Sequence, residues 1–196
     1  MDLDRSPAFS FVRWFVRVSW VTVLIGMALS LVILLVSLLA PGSIPPSTRP
    51  MLDLGFYGSS MTIRLPAGAV SPEFESRVRP LVFAFALVEG GIAAVVLHEL
   101  GRILDNMAEH TPFVMENASR MRFIGLAVLS AGVMAMVCEI ALASHIADNL
   151  RIPGIDLGVK INLARLDIIV VGLIILLLAE VFRYGVQLQD EHDLTV

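Results

Sequence analysis

The chain has 196 residues, of which 57% are apolar and only 16% charged, with a formal net charge of -4. Soluble domains carry about a quarter charged residues, so this composition excludes an ordinary soluble domain. A small negative charge without any basic cluster excludes a nucleic-acid surface. The length suits a single domain, and the lone cysteine, Cys138, rules out an intrachain disulfide and reads as a small buried hydrophobe.

The apolar residues gather in four stretches, close to the ~20 residues that a helix needs to cross a hydrocarbon core of about 30 Å. The first covers residues 18–40, rich in leucine, valine and isoleucine and free of charge. It exceeds a signal-peptide core of about 7–15 residues. Its best small-residue exit, Ala40, is followed at once by Pro41, so the stretch reads as a retained helix. Around its start, Phe11, Trp14, Phe15 and Trp20 alternate with Arg13 and Arg17. Amphipathic rings and snorkelling cations of this kind suit the headgroup region.

The first loop, residues 41–80, opens with Pro41, Pro45, Pro46 and Pro50, which forbid a continuous helix. Within it, residues 61–65 read as a short strand and residues 53–57 as a candidate partner across Gly58, Ser59 and Ser60. A small β-hairpin over the helix ends is compatible with that pattern.

The second span, residues 81–104, carries Glu89, His98, Glu99 and Arg102. His98 and Glu99 begin the zinc-protease helix pattern, but the second histidine it requires falls on Arg102. Glu99 and Arg102 read instead as an ion pair one turn apart. The second loop, residues 105–122, contains Pro112, Phe113, Glu116, Asn117, Arg120 and Arg122. The third span, residues 123–146, carries Glu139 and His145, and a plain connector with Pro153 and Gly154 follows. The fourth span, residues 166–182, starts near Asp167 and ends at Glu180 and Arg183. Its helix is expected to run on over residues 183–193, through Gly185 and Leu188 to Asp193, exposing Val181, Tyr184 and Leu188 beside acidic side chains.

The fold class expected is therefore an all-α membrane protein, a four-transmembrane-helix bundle in one membrane domain over residues 1–196. The cations divide almost evenly between the two sides, but three arginines precede the first span and only Arg49 follows closely. That asymmetry places both termini on the cytoplasmic side of the cell (inner or plasma) membrane.

Ionisable residues inside a span cost about 2.5–3.5 kcal/mol each on insertion scales, so each needs a reason. Counted from the first-loop side, Glu89 and Glu139 both lie roughly 10–12 Å in, so antiparallel neighbours would hold them at one depth. Ala86, Gly90 and Ala94 form a small-residue stripe beside Glu89; Ala127, Ala131 and Ala135 form another that continues through Glu139 and Ala143. Such stripes let membrane helices approach closely. Two carboxylates close together in low dielectric would not both stay charged. Glu89, Glu139 and His145 thus read as a buried ionisable set, serving either a proton or cation site or hydrogen-bonded packing. No phosphate-binding glycine loop, nucleophile elbow or cysteine–histidine metal set occurs, so neither an enzyme activity nor a cofactor is expected.

The run Pro112-Phe113, Glu116-Asn117, Arg120, Arg122 and Ile124-Gly125 resembles a bacterial membrane-protein family. So does the terminal run Glu180-Val181-Phe182-Arg183, Gly185, Leu188-Gln189, Glu191 and Asp193-Leu194-Thr195-Val196. The family is the four-helix type of unknown function, DUF-2975, and the likeness extends from about the second helix to the end. Members are often encoded beside a small helix-turn-helix regulator. The resemblance therefore implies a membrane partner or sequestering anchor of such a regulator, with both motifs on the cytoplasmic side, and no enzyme activity. Beside the bilayer and that regulator, a second copy of the chain is a candidate partner; direct contact with nucleic acid is not expected. Arg120 and Arg122 are expected to contact Glu180 or the acidic terminal turn, docking the last helix on the second loop. The alternative is a small proton- or cation-coupled transporter using Glu89, Glu139 and His145.

Overall fold

The computed structural model describes residues 6–40, 43, 72–109, 114–149 and 166–193. Four helices occupy them: α1 (Pro7–Leu39), α2 (Pro72–Ala108), α3 (Met115–Asn149) and α4 (Leu166–Asp193). Among the described residues there is no strand, so the architecture is all-α. The hairpin expected within residues 53–65 lies outside the described residues, as do Pro112 and Phe113.

Among the described residues, three helices are long and apolar enough to cross a membrane, over Pro7–Leu39, Ser76–Ala108 and Met115–His145. The fourth expected span, α4, is not among them. Its uninterrupted apolar run is short, confined between Asp167 and Glu180.

Local chemistry accounts for the helix ends. The Ser6 hydroxyl accepts from the Phe9 amide at 3.2 Å, an N-cap bond that satisfies an orphan donor ahead of Pro7. α2 likewise opens on a proline, Pro72, whose missing N–H costs nothing at a first helical position. It then runs straight through Pro80, the residue at which the first loop was expected to end. Pro80 removes one rung of the helix ladder; the Ser76 hydroxyl, donating to the Glu73 carbonyl at 2.8 Å, supplies a local polar contact in that first stretch. Glu116 and Asp167 place carboxylates in the first turns of α3 and α4, where the helix dipole favours them.

The chain divides into two compact units. The first comprises Met1–Gly26, Gly90–Gly132 and Asp167–Val196 and draws on all four helices. Its buried apolar side chains include Val16, Ile103, Leu104, Ile124 and Val186. Here α3 and α4 pack almost backbone to backbone. A Cβ on Gly172 would lie 2.9 Å from the Leu129 nitrogen, and one on Gly132 would lie 2.9 Å from Ile169 Cγ1. A Cβ on Gly125 would lie 2.8 Å from Leu176. The second unit comprises Met27–Glu89 and Val133–Leu166. It buries Ser37, Phe74, Ala135 and Cys138. The Phe74 ring stacks on His145 with centroids 6.4 Å apart, and the Ser37 hydroxyl donates to the Ile33 carbonyl at 2.7 Å within its own helix.

Candidate functional site

The first unit concentrates its polar side chains around the start of α3. Arg120, with only 11% of its side chain exposed, donates to Glu99 of α2 at 2.6 Å and to Glu116 one turn back on α3. Glu99 is 20% exposed and Glu116 63%. Beside them Asn117, 1% exposed, accepts from Asn106 Nδ2 at 2.8 Å. Next to Asn106 on α2, Asp105 forms an ion pair with Arg13, whose Nε lies 3.0 Å away, and accepts from Arg17 at 3.2 Å, tying α1 into the same region. The Trp20 and His98 rings lie 6.0 Å apart. Charged groups that would be costly at the edge of hydrocarbon are thereby matched in sign and hydrogen-bonded.

Two sequence expectations change here. Glu99 pairs with Arg120 rather than with Arg102, because an interhelical partner with its guanidinium largely enclosed outweighs a neighbour on an exposed face. Neither arginine bonds Glu180, which bonds Arg183 on its own helix; the side chains of the acidic terminal turn lie outside the described residues. Residues two apart on a helix point about 200° apart. Arg120 therefore faces α2, and Arg122 turns toward α4.

Arg122 lines an open cleft of about 570 Å³ with Glu180 and Arg183, above the leucines Leu126, Leu173 and Leu177. A smaller recess of about 120 Å³ adjoins it, reaching Met115, Ala118 and Ser119 and sharing Arg122, Glu180 and Arg183. Arg183 also lies over the Tyr184 ring, 5.6 Å from its centroid. Arg122 is exposed and makes no hydrogen bond or ion pair among the described residues.

The ionisable set of the second unit is less enclosed than expected. Glu89 is exposed, a correction to its reading as a buried group, while Glu139 and His145 are half-buried. The reason lies in the helical register. Of the stripe beside Glu89, Ala86 is exposed, Gly90 half-buried and only Ala94 buried, so the stripe does not enclose Glu89. Among the described residues, no group of three or more His, Cys, Asp or Glu is placed to hold a metal ion.

Beyond the cleft, α4 continues as helix to Asp193. Phe182 is half-buried and Gly185 borders open space. Val181, Tyr184 and Leu188 are 61%, 56% and 67% exposed. The α3–α4 glycine contacts were missed from sequence. Gly125 and Gly132 stand seven residues apart, a spacing that keeps them on one face and could have pointed to a close helix neighbour.

Long apolar helices cross-tied by paired charges define a class: membrane-embedded helical proteins. Within that class the chain belongs to the DUF2975 family, whose model, described as "Protein of unknown function (DUF2975)", matches residues 60–196. No curated protein and no solved structure matches the chain. The matched region holds Glu99, Arg120, Arg122, the glycine contacts and all of α4; α1 lies outside it.

Proposed function

We propose that this chain is a non-enzymatic protein of the bacterial inner membrane that anchors a small helix-turn-helix regulator at the cytoplasmic face. The observation that carries this reading is the extension of α4. Val181, Tyr184 and Leu188 sit at i, i+3 and i+7, a single apolar stripe exposed beyond the apolar run. A stripe at that spacing is how an amphipathic helix enters a partner's groove. Asp190, Glu191 and Asp193 follow it in sequence, which favours a basic partner. The resemblance to proteins encoded beside such regulators supplies the identity of the partner.

The proposal includes α4 as a fourth crossing. Its 28 residues extend about 42 Å at 1.5 Å each, which covers a hydrocarbon core of about 30 Å and leaves turns to project. The Glu180–Arg183 pair neutralises both charges at the point where the helix would leave the core. With four crossings, both termini and the α2–α3 connection lie on the cytoplasmic side.

The test is co-purification of a small helix-turn-helix regulator of the kind encoded beside family members with three forms of the protein: full chain, a chain ending at Tyr184, and Val181→Ser with Leu188→Ser. Retention by the full chain alone supports the anchor. Equal retention by all three, or by none, overturns it. Reporter fusions at the C-terminus read the topology: fluorescence without periplasmic phosphatase activity is expected, and the reverse removes the cytoplasmic placement.

A further inference from the structure

The cleft between α3 and α4 shares no lining residue with the apolar stripe that would hold a regulator, and its chemistry points elsewhere. Its rim and its floor differ in character. The rim carries Arg122, Arg183 and Glu180; the floor is leucine, with Leu126 on α3 and Leu173 and Leu177 on α4. Both helices place that rim at the same kind of boundary. Glu180 is where the apolar run of α4 stops, and Arg122 immediately precedes Phe123, where the apolar run of α3 starts. A polar rim over an apolar floor at such a boundary is the layout of a phospholipid itself.

Charge completes the argument. Arg120 is matched by Glu99 and Glu116, Arg13 and Arg17 by Asp105, and Arg183 by Glu180. Arg122 has no acid, so the rim carries one positive charge in excess of its single carboxylate's reach. A guanidinium at the edge of hydrocarbon is stabilised by an anion that it can bond in bidentate fashion, and phosphate offers that geometry. Basic pockets between membrane helices take anionic lipid headgroups on these grounds. In the adjoining recess Ser119 is one turn before Arg122, on the same face, and adds a hydroxyl donor.

We propose that this cleft binds one anionic phospholipid. Its phosphate bonds Arg122, with Arg183 and Ser119 beside it, and one acyl chain lies along Leu177, Leu173 and Leu126. The bound lipid fills a gap between α3 and α4 directly outside the Gly125–Leu176 contact and so becomes part of the packing of the two helices.

The experiment uses the full chain in a non-ionic detergent, with lipid retention read by native mass spectrometry. The probes are dimyristoyl phosphatidylglycerol and dimyristoyl phosphatidylcholine. Phosphatidylglycerol should be retained about five-fold more than phosphatidylcholine, the scale of one arginine contact to an anionic headgroup. Arg122→Gln should abolish that preference, and Arg122→Lys should keep part of it, the charge without the bidentate geometry, which separates charge from any effect on folding. Leu177→Ser should weaken both lipids alike. Equal retention of the two lipids, or an unchanged preference in Arg122→Gln, overturns the proposal. Glycerol 1-phosphate displacing the lipid fully, at matched concentration, overturns the acyl-chain half and leaves a free phosphate site.

Discussion

Arg120 on α3 and Glu99 on α2 meet at 2.6 Å, with the arginine almost enclosed and Glu116 holding its other side. One guanidinium thus joins two helices and two carboxylates of very different exposure. Removing one partner of a buried pair typically costs about 3–5 kcal/mol, whereas exposed pairs contribute about 0–1 kcal/mol. Glu99→Gln should therefore lower the thermal midpoint of the detergent-solubilised protein clearly, and Glu116→Gln should barely move it. Equal shifts would show that Arg120 does not depend on its interhelical partner.

Asn117 poses a simpler case. It is a polar side chain at 1% exposure whose oxygen accepts from Asn106 at 2.8 Å. Asn117→Ala leaves that donor with less to bond and opens a small void, a loss of about 1–3 kcal/mol. Asn117→Asp keeps the acceptor but buries a charge, so it should be the worse of the two above neutral pH and recover as the medium is acidified. Unfolding midpoints at two pH values decide it, and identical pH profiles for both variants would contradict the enclosure of Asn117.

Much of the helical content was legible because period and length speak plainly in apolar stretches. The ends were not. The prolines after Ala40 suggested a loop reaching Pro80, yet α2 begins at Pro72 and absorbs Pro80, since one missing rung costs less than abandoning a long helix. Charged partners were legible only as a set. The sequence offers Glu99 an arginine at Arg102 and offers Arg120 an acid at Glu180, and helix register decided against both. Glu89 was misjudged for the same reason: a stripe of small residues shows that a face packs, but not on which side of it a neighbour falls. The cleft at Arg122 needed α3 and α4 side by side, and no spacing within one helix predicts that.

Glycines give a matched pair of predictions. At Gly172 an added methyl would press on the backbone of Leu129 at 2.9–3.0 Å, and a backbone cannot rotate away. Gly172→Ala should force α3 and α4 apart and cost about 1–3 kcal/mol, the range of overpacked cores. At Gly185 an added Cβ meets nothing within 4 Å. Gly185→Ala should stabilise the extension of α4 by up to about 1 kcal/mol through helix propensity alone. Helicity and thermal midpoint together check both, and a stable Gly172→Ala would mean the helices are not in contact there.

The arginines of α3 separate two accounts of how α4 is held. If Arg120 docked α4 through Glu180, reversing both charges would restore what each reversal loses. The partners found argue otherwise: Arg120 is engaged by Glu99 and Glu116, and Glu180 by Arg183, so the two residues share none. Residues without shared partners add within about 0.3–0.5 kcal/mol, and residues in one network couple by about 0.5–3 kcal/mol. A double-mutant cycle on Arg120 and Glu180 should therefore show additivity, while the same cycle on Arg120 and Glu99 should show coupling. Chemical or thermal unfolding of the four variants in each cycle measures it. Coupling in the first cycle with none in the second would place the grip on α4 at Arg120 and take it from the glycine contacts, where Gly125, Gly132 and Gly172 now put it.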